Sequence, residues 1–300
     1  MEKKENNRLL IYLGVLIAGG LWGFSFLATS LLMENGIDPI QIQAWRWTLA
    51  SACFLVFVLF GKLRIDLHKK SAKYLILPGI FEPCMYMIFE NYGIKYTSAS
   101  IGSIFVAVIP CVVLIIGAIF LKRKTSIRGK ISIFLAVFGV ILATVLSPDF
   151  SIEGSGIGYL LLIGAVIAGG LYNIFIAVVS GDYEPMEITA VMAFVGMIFF
   201  NVLNFAMGYG FDTYITVIAD RSLLIGVVYL GVCCSAITFL VLNKVLSVMN
   251  PAVGNNLVSG TVTICGVFAG VVFGGDPCGW YTILGLAFTV IGVWLASREV

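Results

Sequence analysis

Three hundred residues that are 60% hydrophobic and only 11% charged, with a mean hydropathy of +1.05, exclude a water-soluble enzyme, a nucleic-acid binder and a disordered chain. Soluble domains carry about 25% charged residues because polar atoms must cover their surface. The net charge of +2 says nothing about partners, and the composition reads as an all-α polytopic membrane protein.

Crossing the bilayer as a helix takes about 20 mostly apolar residues, since lipid offers backbone groups no hydrogen-bond partner. Charged residues and turn formers divide the chain into ten such segments: Leu9–Met33, Ile40–Gly61, Tyr74–Ile94, Ala99–Leu121, Ile131–Ser147, Gly156–Ser180, Ile188–Gly208, Ser222–Asn243, Pro251–Gly274 and Gly279–Ser297. The first is too long for a signal-peptide core and is read as an uncleaved helix. Runs such as Ile104–Ala107 lack the period-two alternation of barrel strands.

Loop charge sets the expected orientation. With a cytoplasmic N-terminus, the inner side collects Lys3, Lys4, Arg8, Lys62, Arg64, Lys69, Lys70, Lys73, Lys122, Arg123, Lys124, Arg128, Lys130, Lys244 and Arg298. The outer side keeps only Lys95 and Arg221, so both termini are expected in the cytoplasm of a plasma or inner membrane. His68, the single histidine, falls in the basic loop after the second segment. The seven cysteines form no CxxC pair and are read as small apolar residues, with no metal site or cofactor implied.

The chain repeats itself. Ile17-Ala18-Gly19-Gly20-Leu21-Trp22 returns as Ile167-Ala168-Gly169-Gly170-Leu171-Tyr172, and Asp38-Pro39 returns as Glu184-Pro185. A constant offset of 153 superposes Ala99 on Ala252, Gly117 on Gly270, Phe120 on Phe273, Gly139 on Gly292 and Ala143 on Ala296. Two five-helix units are therefore expected, residues 1–147 and 148–300. Five is odd, so the units enter the membrane from opposite sides, an arrangement of secondary transporters with the substrate site between the halves.

Ionisable residues within spans are candidates for function because a charge near the bilayer centre costs at least about 2.5–3.5 kcal/mol. Three qualify: Arg46, Glu82 and Glu90. Glu82 lies eight residues into its segment, about 12 Å deep, and Tyr86 and Glu90 follow on roughly the same face. Water-poor surroundings disfavour a bare carboxylate. Glu82 is thus read as a carrier of a coupling proton, as a partner for a substrate ammonium, or as a protonated side chain bonded to a carbonyl freed by Pro78 or Pro83. Arg46, between Trp45 and Trp47, admits three readings: an interface anchor, an ion pair with Glu90, or a substrate contact. The offset puts Ser235 and Asn243 where the first half has Glu82 and Glu90, so any proton chemistry belongs to the first half.

Among neutral polar residues, Asn201, Asn204, Asn243, Asn255 and Asn256 are read as interhelical amides. Asn173 is the best site candidate of this kind, beside Tyr172 at the repeat-equivalent of Trp22. Gly266, Gly270 and Gly274 form a stripe for close helix packing, and Pro83 and Pro110 predict kinks. No catalytic constellation is present, and the chain is not read as an enzyme.

Several local words resemble a known family. They are Trp22-Gly23-Phe24-Ser25-Phe26 with Asp38-Pro39, Arg46 and Ala50; Tyr92-Gly93-Ile94-Lys95-Tyr96-Thr97-Ser98-Ala99-Ser100; and Gly274-Gly275-Asp276-Pro277. Together they resemble the drug/metabolite transporter superfamily, EamA-type, over nearly the whole chain. Asp276 stands where that pattern has Glu, and the corresponding first-half turn, Leu121-Lys122-Arg123-Lys124, departs from it.

The resemblance implies a ten-helix carrier of small organic solutes, including amino acids and related metabolites, with export the leading direction. Trp22, Tyr86 and Tyr172 would offer aromatic surface, Glu82, Glu90 and Asn173 polar contact. Expected partners are a small solute, lipid and, at Glu82, protons; a homodimer is left open. Efflux of lipophilic or quaternary cations is the second reading, and a non-transporting sensor or lipid-modifying enzyme the third.

Overall fold

The computed structural model describes residues 2–120, 126–147, 152–242 and 251–296, with side chains for 13–116, 126–147, 155–242 and 257–295. The turn 121–124 and Asn243 lie outside the described residues, as do Lys244, Arg298 and the side chains of Lys3, Lys4, Arg8, Asn255 and Asn256. Among the described residues every regular element is helical.

In chain order these are α1 (Glu2–Glu34), α2 (Pro39–Leu59) and α3, built from Leu77–Gly79, a π-helical stretch Ile80–Tyr86 and Met87–Tyr96. Next come α4 (Ala99–Val106, then Ile109–Phe120), α5 (Ile127–Val145), α6 (Ile152–Val179), α7 (Pro185–Ala206) and the short α8 (Asp212–Ala219). The last are α9 (Arg221–Val228 and a π-helical stretch Tyr229–Ile237), α10 (Pro251–Phe273) and α11 (Trp280–Ala296). Seven described helices are long and apolar enough to cross a membrane; Leu257–Phe273 and Trp280–Leu295 are shorter apolar helices.

Local chemistry explains the boundaries. Asp38 accepts from Ile40 N–H while Gln41 Oε1 accepts from Asp38 N–H, and Pro39 occupies the first helical position. Glu184 and Glu187 form the same box ahead of α7, again with Pro at the first position. Both helices therefore begin at the proline, earlier than the apolar run suggested. Ser126 caps α5 through Arg128 and Gly129 N–H, so α5 starts at Ile127 and absorbs two basic residues expected in the loop. The loop after α7 contains α8, which the sequence did not announce. Pro83 has no N–H and would clash with the preceding turn, and α3 answers by widening into π-helix. At Pro110, α4 breaks over Ala107 and Val108.

Packing pairs α1 with α10, α2 with α7 and α9, α3 with α6, α4 with α10, and α5 with α11. The α5–α11 contact is the tightest. A Cβ on Gly139 would stand 2.4 Å from Thr289 Oγ1 and 2.5 Å from Gly285 O, and one on Gly292 would stand 2.7 Å from Ser132 O. Ser132 thus faces Gly292 while Gly139 faces Gly285, so the two helices run antiparallel. The 153-residue offset carries Gly139 to Gly292 and Ser132 to Gly285, making each contact the counterpart of the other. Thr289 Oγ1 reaches across the crossing to Ala136 O at 3.5 Å while donating within α11 to Gly285 O at 2.8 Å.

Each end of the bundle carries its own polar clasp. At one, Asp38 receives Tyr92 Oη at 3.0 Å and pairs with Lys95 at 3.2 Å, and Asp276 Oδ2 accepts from Ser100 N–H at 2.8 Å. At the other, Lys69 pairs with Glu187 at 3.2 Å and lies 4.4 Å from the Tyr183 ring centroid. There Ser71 donates twice to Asp182, which holds that carboxyl below the usual carboxylate range.

Replacing Gly139 or Gly292 with Leu should force α5 and α11 apart, cost on the order of 1–3 kcal/mol as overpacking, and lower the thermal midpoint in detergent. Gly20 has no atom within 4 Å of a Cβ position, so Gly20→Ala should be neutral or raise stability by about 0.4–1 kcal/mol. A Gly139→Leu midpoint equal to wild type would contradict the packing described.

Candidate substrate cavity

The widened turn of α3 faces the middle of the bundle, where a cavity of about 180 Å³ is lined by Trp22, Ser25, Arg46, Glu82, Tyr86, Glu90, Tyr172, Asn173, Ser259, apolar residues of α4 and α10, and Phe239 and Leu242, which follow the π-helical stretch of α9. All six side chains expected to meet substrate or proton line this one space, together with Arg46.

Arg46 is 2% exposed, and its neighbours Trp45 and Trp47 are buried as well. It is therefore not an interface anchor. Nor is it paired with Glu90: the described ion pairs are His68–Asp66, Lys69–Glu187 and Lys95–Asp38, and Arg46 is in none. Arg46 instead donates from Nε to Ser235 Oγ at 2.6 Å. A Cβ on Gly231 would lie 2.9 Å from Arg46 O, so the absence of a side chain there lets α9 press against α2 and delivers Ser235 one turn later. On its α7 side, Trp47 packs under Gly196 with Nε1 donating to Gln43 Oε1 at 3.0 Å, and the Arg46 guanidinium carbon lies 5.9 Å from its ring centroid.

Glu82 is 6% exposed and Glu90 7%. Tyr86 Oη donates to Glu90 Oε1, one turn along α3. Glu82 Oε2 has no partner among the described residues. Oε2 is thus not bonded to a carbonyl freed by Pro78 or Pro83.

Trp22 is fixed by Nε1 donating to Cys234 O at 2.8 Å and by an edge-on contact with Phe239 at 4.9 Å, leaving a ring face to the cavity. Tyr229 Oη donates to Leu21 O at 2.6 Å, tying α9 to the same turn of α1. Asn173 Nδ2 donates to Gly169 O at 2.8 Å.

The lining follows the repeat. Trp22 and Tyr172 are counterparts, and the 153-residue offset relates Tyr86 to Phe239, Val106 to Ser259 and Ile109 to Val262, all of which line the cavity. Charge breaks this symmetry: Glu82 maps to Ser235, and the Asp38–Glu184 alignment maps Arg46 to Met192. The cavity stops short of the Asp38 end, where α4 and α10 touch. There Ser103 would meet a Cβ on Gly266 at 2.5 Å and Ser100 one on Gly270 at 2.3 Å, which gives the glycine stripe its packing role.

The sequence pattern of the EamA-like transporter family matches residues 9–145 and again residues 156–298. The chain belongs to that family. Among relatives of the EamA-type chain is the uncharacterized transporter YcxC of Bacillus subtilis, 26% identical over 94% of this chain and 91% of the relative. An uncharacterized transporter of Archaeoglobus fulgidus is 25% identical over 93% of this chain and 95% of its own. The WAT1-related protein At2g39510 of Arabidopsis thaliana is 24% identical over 92% of this chain and 80% of its own. A protein crystal structure superposes with a TM-score of 0.67 at 15% identity, covering 95% of this chain and 96% of the other. That likeness concerns the fold alone. As a drug/metabolite transporter superfamily member, the EamA-type chain is a multi-pass membrane protein whose partners are a small solute and lipid.

Ser235→Ala should leave a buried guanidinium short of an acceptor and cost about 1–3 kcal/mol. Ser235→Thr, which keeps the hydroxyl, should retain most of the stability. Equal thermal midpoints for the wild type and the Ala variant would remove the Arg46–Ser235 bond from the architecture.

Proposed function

We propose that the chain spans the plasma membrane ten times as two inverted five-helix repeats with both termini cytoplasmic. It works as a secondary transporter that exports small organic metabolites, amino acids or related compounds, by alternating access. One observation carries the reading: a cavity in the bundle interior is walled by repeat-equivalent positions of both halves and holds three ionisable side chains, Arg46, Glu82 and Glu90, with Glu82 Oε2 unpartnered among the described residues. The antiparallel crossings of α5 with α11 and α4 with α10 support opposed halves. The doubled family match supports the two units.

In this reading α4 and α10 are closed against each other at the outer end, where Asp276 takes the Ser100 N–H, and they part around the cavity toward the inner end. Two near-equivalent halves interconvert at small energetic cost, so the pair closes instead at its inner end in the other state. Glu82, within the first half's widened turn, carries the coupling proton. Its charged and titratable neighbours at the cavity are Arg46 from α2, Glu90 and Tyr86 from α3, and Tyr172 from α6.

Efflux of lipophilic cations is the second reading. Two carboxyls beside the rings of Trp22, Tyr172 and Phe239 favour it, while Arg46 in the same wall opposes it by repelling a bare cation.

In proteoliposomes, Glu82→Gln should abolish metabolite flux or its dependence on a pH gradient. Flux that keeps its pH dependence removes Glu82 from the mechanism, and no gradient-driven flux of any metabolite in a broad panel removes transport itself.

A further inference from the structure

A second cavity, of about 220 Å³, opens at the Asp38 end of the bundle, beyond the contact of α4 with α10, and shares no lining residue with the central one. Both halves build its wall. The first half supplies Ser98 and Ser100 at the start of α4 and Ser147 just after α5. From the second half come Ser155 and Tyr159 of α6, Asp276 of the α10–α11 turn, and Tyr281 and Thr282 of α11. No Lys or Arg is among the lining residues, and Asp276 carries their only charge.

The fold leaves much of this polar surface unused. The hydroxyls of Ser147 and Ser155 make no hydrogen bond among the described residues, and neither does that of Tyr281, a residue only 8% exposed. A largely buried hydroxyl is costly unless water or a ligand meets it. Asp276 Oδ2 accepts from Ser100 N–H at 2.8 Å, yet the carboxylate enters none of the described ion pairs. A Cβ on Gly270 would collide with Asp276 Oδ2, so the glycine makes the room in which this carboxylate stands.

We infer that the outer cavity binds a small hydroxylated ammonium arriving from the outer side, with its ammonium on Asp276 and its hydroxyls on the Ser and Tyr hydroxyls. The bound molecule bridges the two halves and holds the outer end closed. An anion is disfavoured because the N-terminus of α4, which would attract one, already faces Asp276 and no basic side chain lines the space. The volume has room for on the order of a dozen waters, far more than one metal ion fills and enough for a six-carbon polyol. An apolar amine would leave the hydroxyls unmet, and a neutral polyol would leave Asp276 without a cation. Hydroxyls both donate and accept, so wall and polyol complement each other in both directions. The wall is complete when the start of α4 lies against the α10–α11 turn, and a ligand that needs both favours that state. Binding stands apart from whatever the central cavity carries; only the hold on the outer end rests on the transport reading.

The test uses purified full-length protein in nanodiscs free of ethanolamine lipids and calorimetric binding of D-glucamine, D-sorbitol and n-propylamine. D-sorbitol lacks the ammonium and n-propylamine lacks the hydroxyls. D-glucamine should bind, and each comparator should bind roughly tenfold or more weakly, as expected for loss of a charge-assisted contact or of several neutral ones. Asp276→Asn, which keeps an acceptor for Ser100 N–H, should erase the preference for D-glucamine over D-sorbitol. Ser155→Ala breaks no hydrogen bond among the described residues, so it should leave the thermal midpoint unchanged and weaken both polyols about threefold. Should Asp276→Asn fail to fold, the ligand series and Ser155→Ala decide. No binding of D-glucamine, equal binding of D-glucamine and D-sorbitol, or a preference that survives Asp276→Asn overturns the site. Loss of D-glucamine binding when phosphatidylethanolamine is added assigns the ammonium to a lipid headgroup and overturns the free solute. In vesicles, D-glucamine on the outer side should slow metabolite flux. Binding without slowing overturns the hold on the outer end, whereas absence of any flux with the binding pattern intact upholds the site and overturns the carrier.

Discussion

A guanidinium held at 2% exposure inside an apolar bundle is the constraint around which the remaining features are arranged. Its burial is costly unless partners are supplied, and the chain supplies one with backbone economy. Gly231 removes the side chain that would hold α9 away from α2, the π-helical turn reorients the following residues, and Ser235 Oγ arrives within 2.6 Å of Nε. The same turn presents Cys234 O to Trp22, so one local distortion both neutralises a donor of Arg46 and fixes the aromatic wall opposite it. On α3, Pro83 produces the matching distortion and sets Glu82 facing the same space.

Symmetry in the scaffold and asymmetry in the charges divide the work. Counterpart positions shape the cavity, and counterpart glycine contacts hold α5 against α11. Arg46, Glu82 and Glu90 all come from the first half, so the second half contributes surface and neutral polar groups, among them Asn173, Ser259 and the Ser235 hydroxyl. Asp276 extends the asymmetry to the ends of the bundle. It accepts from the N-terminus of α4, where a carboxylate is favoured by the helix dipole, while the offset places Arg123 at its counterpart position.

Much of this was legible in the sequence because bilayer burial writes itself into composition. The apolar runs located the helices, and Pro110 and Pro83 announced the break in α4 and the widened turn in α3. The boundaries of α2, α5 and α7 were not legible from hydropathy, since Pro39, Ser126 and Glu184 start helices by capping rather than by apolarity. α8 was missed because its apolar run is too short to cross a membrane. For the site, depth selected Glu82, Tyr86, Glu90, Trp22, Tyr172 and Asn173, and all of them meet. What depth could not give was the partner of Arg46. That depends on helix rotation, and Ser235 lies 189 residues away. The alignment of Ser235 with Glu82 was visible, yet nothing in a one-dimensional offset says that this hydroxyl turns toward Arg46.

The central claim is that a single interior cavity belongs to both faces of the membrane in turn, and side-specific labelling tests it most directly. In a background with the native cysteines replaced, a cysteine at Ser259 on the cavity wall would be treated with a membrane-impermeant thiol reagent applied to either face of oriented vesicles. The account predicts labelling from both faces, with substrate shifting the ratio between them. Labelling confined to one face under every condition, with substrate and gradient in place, would contradict it.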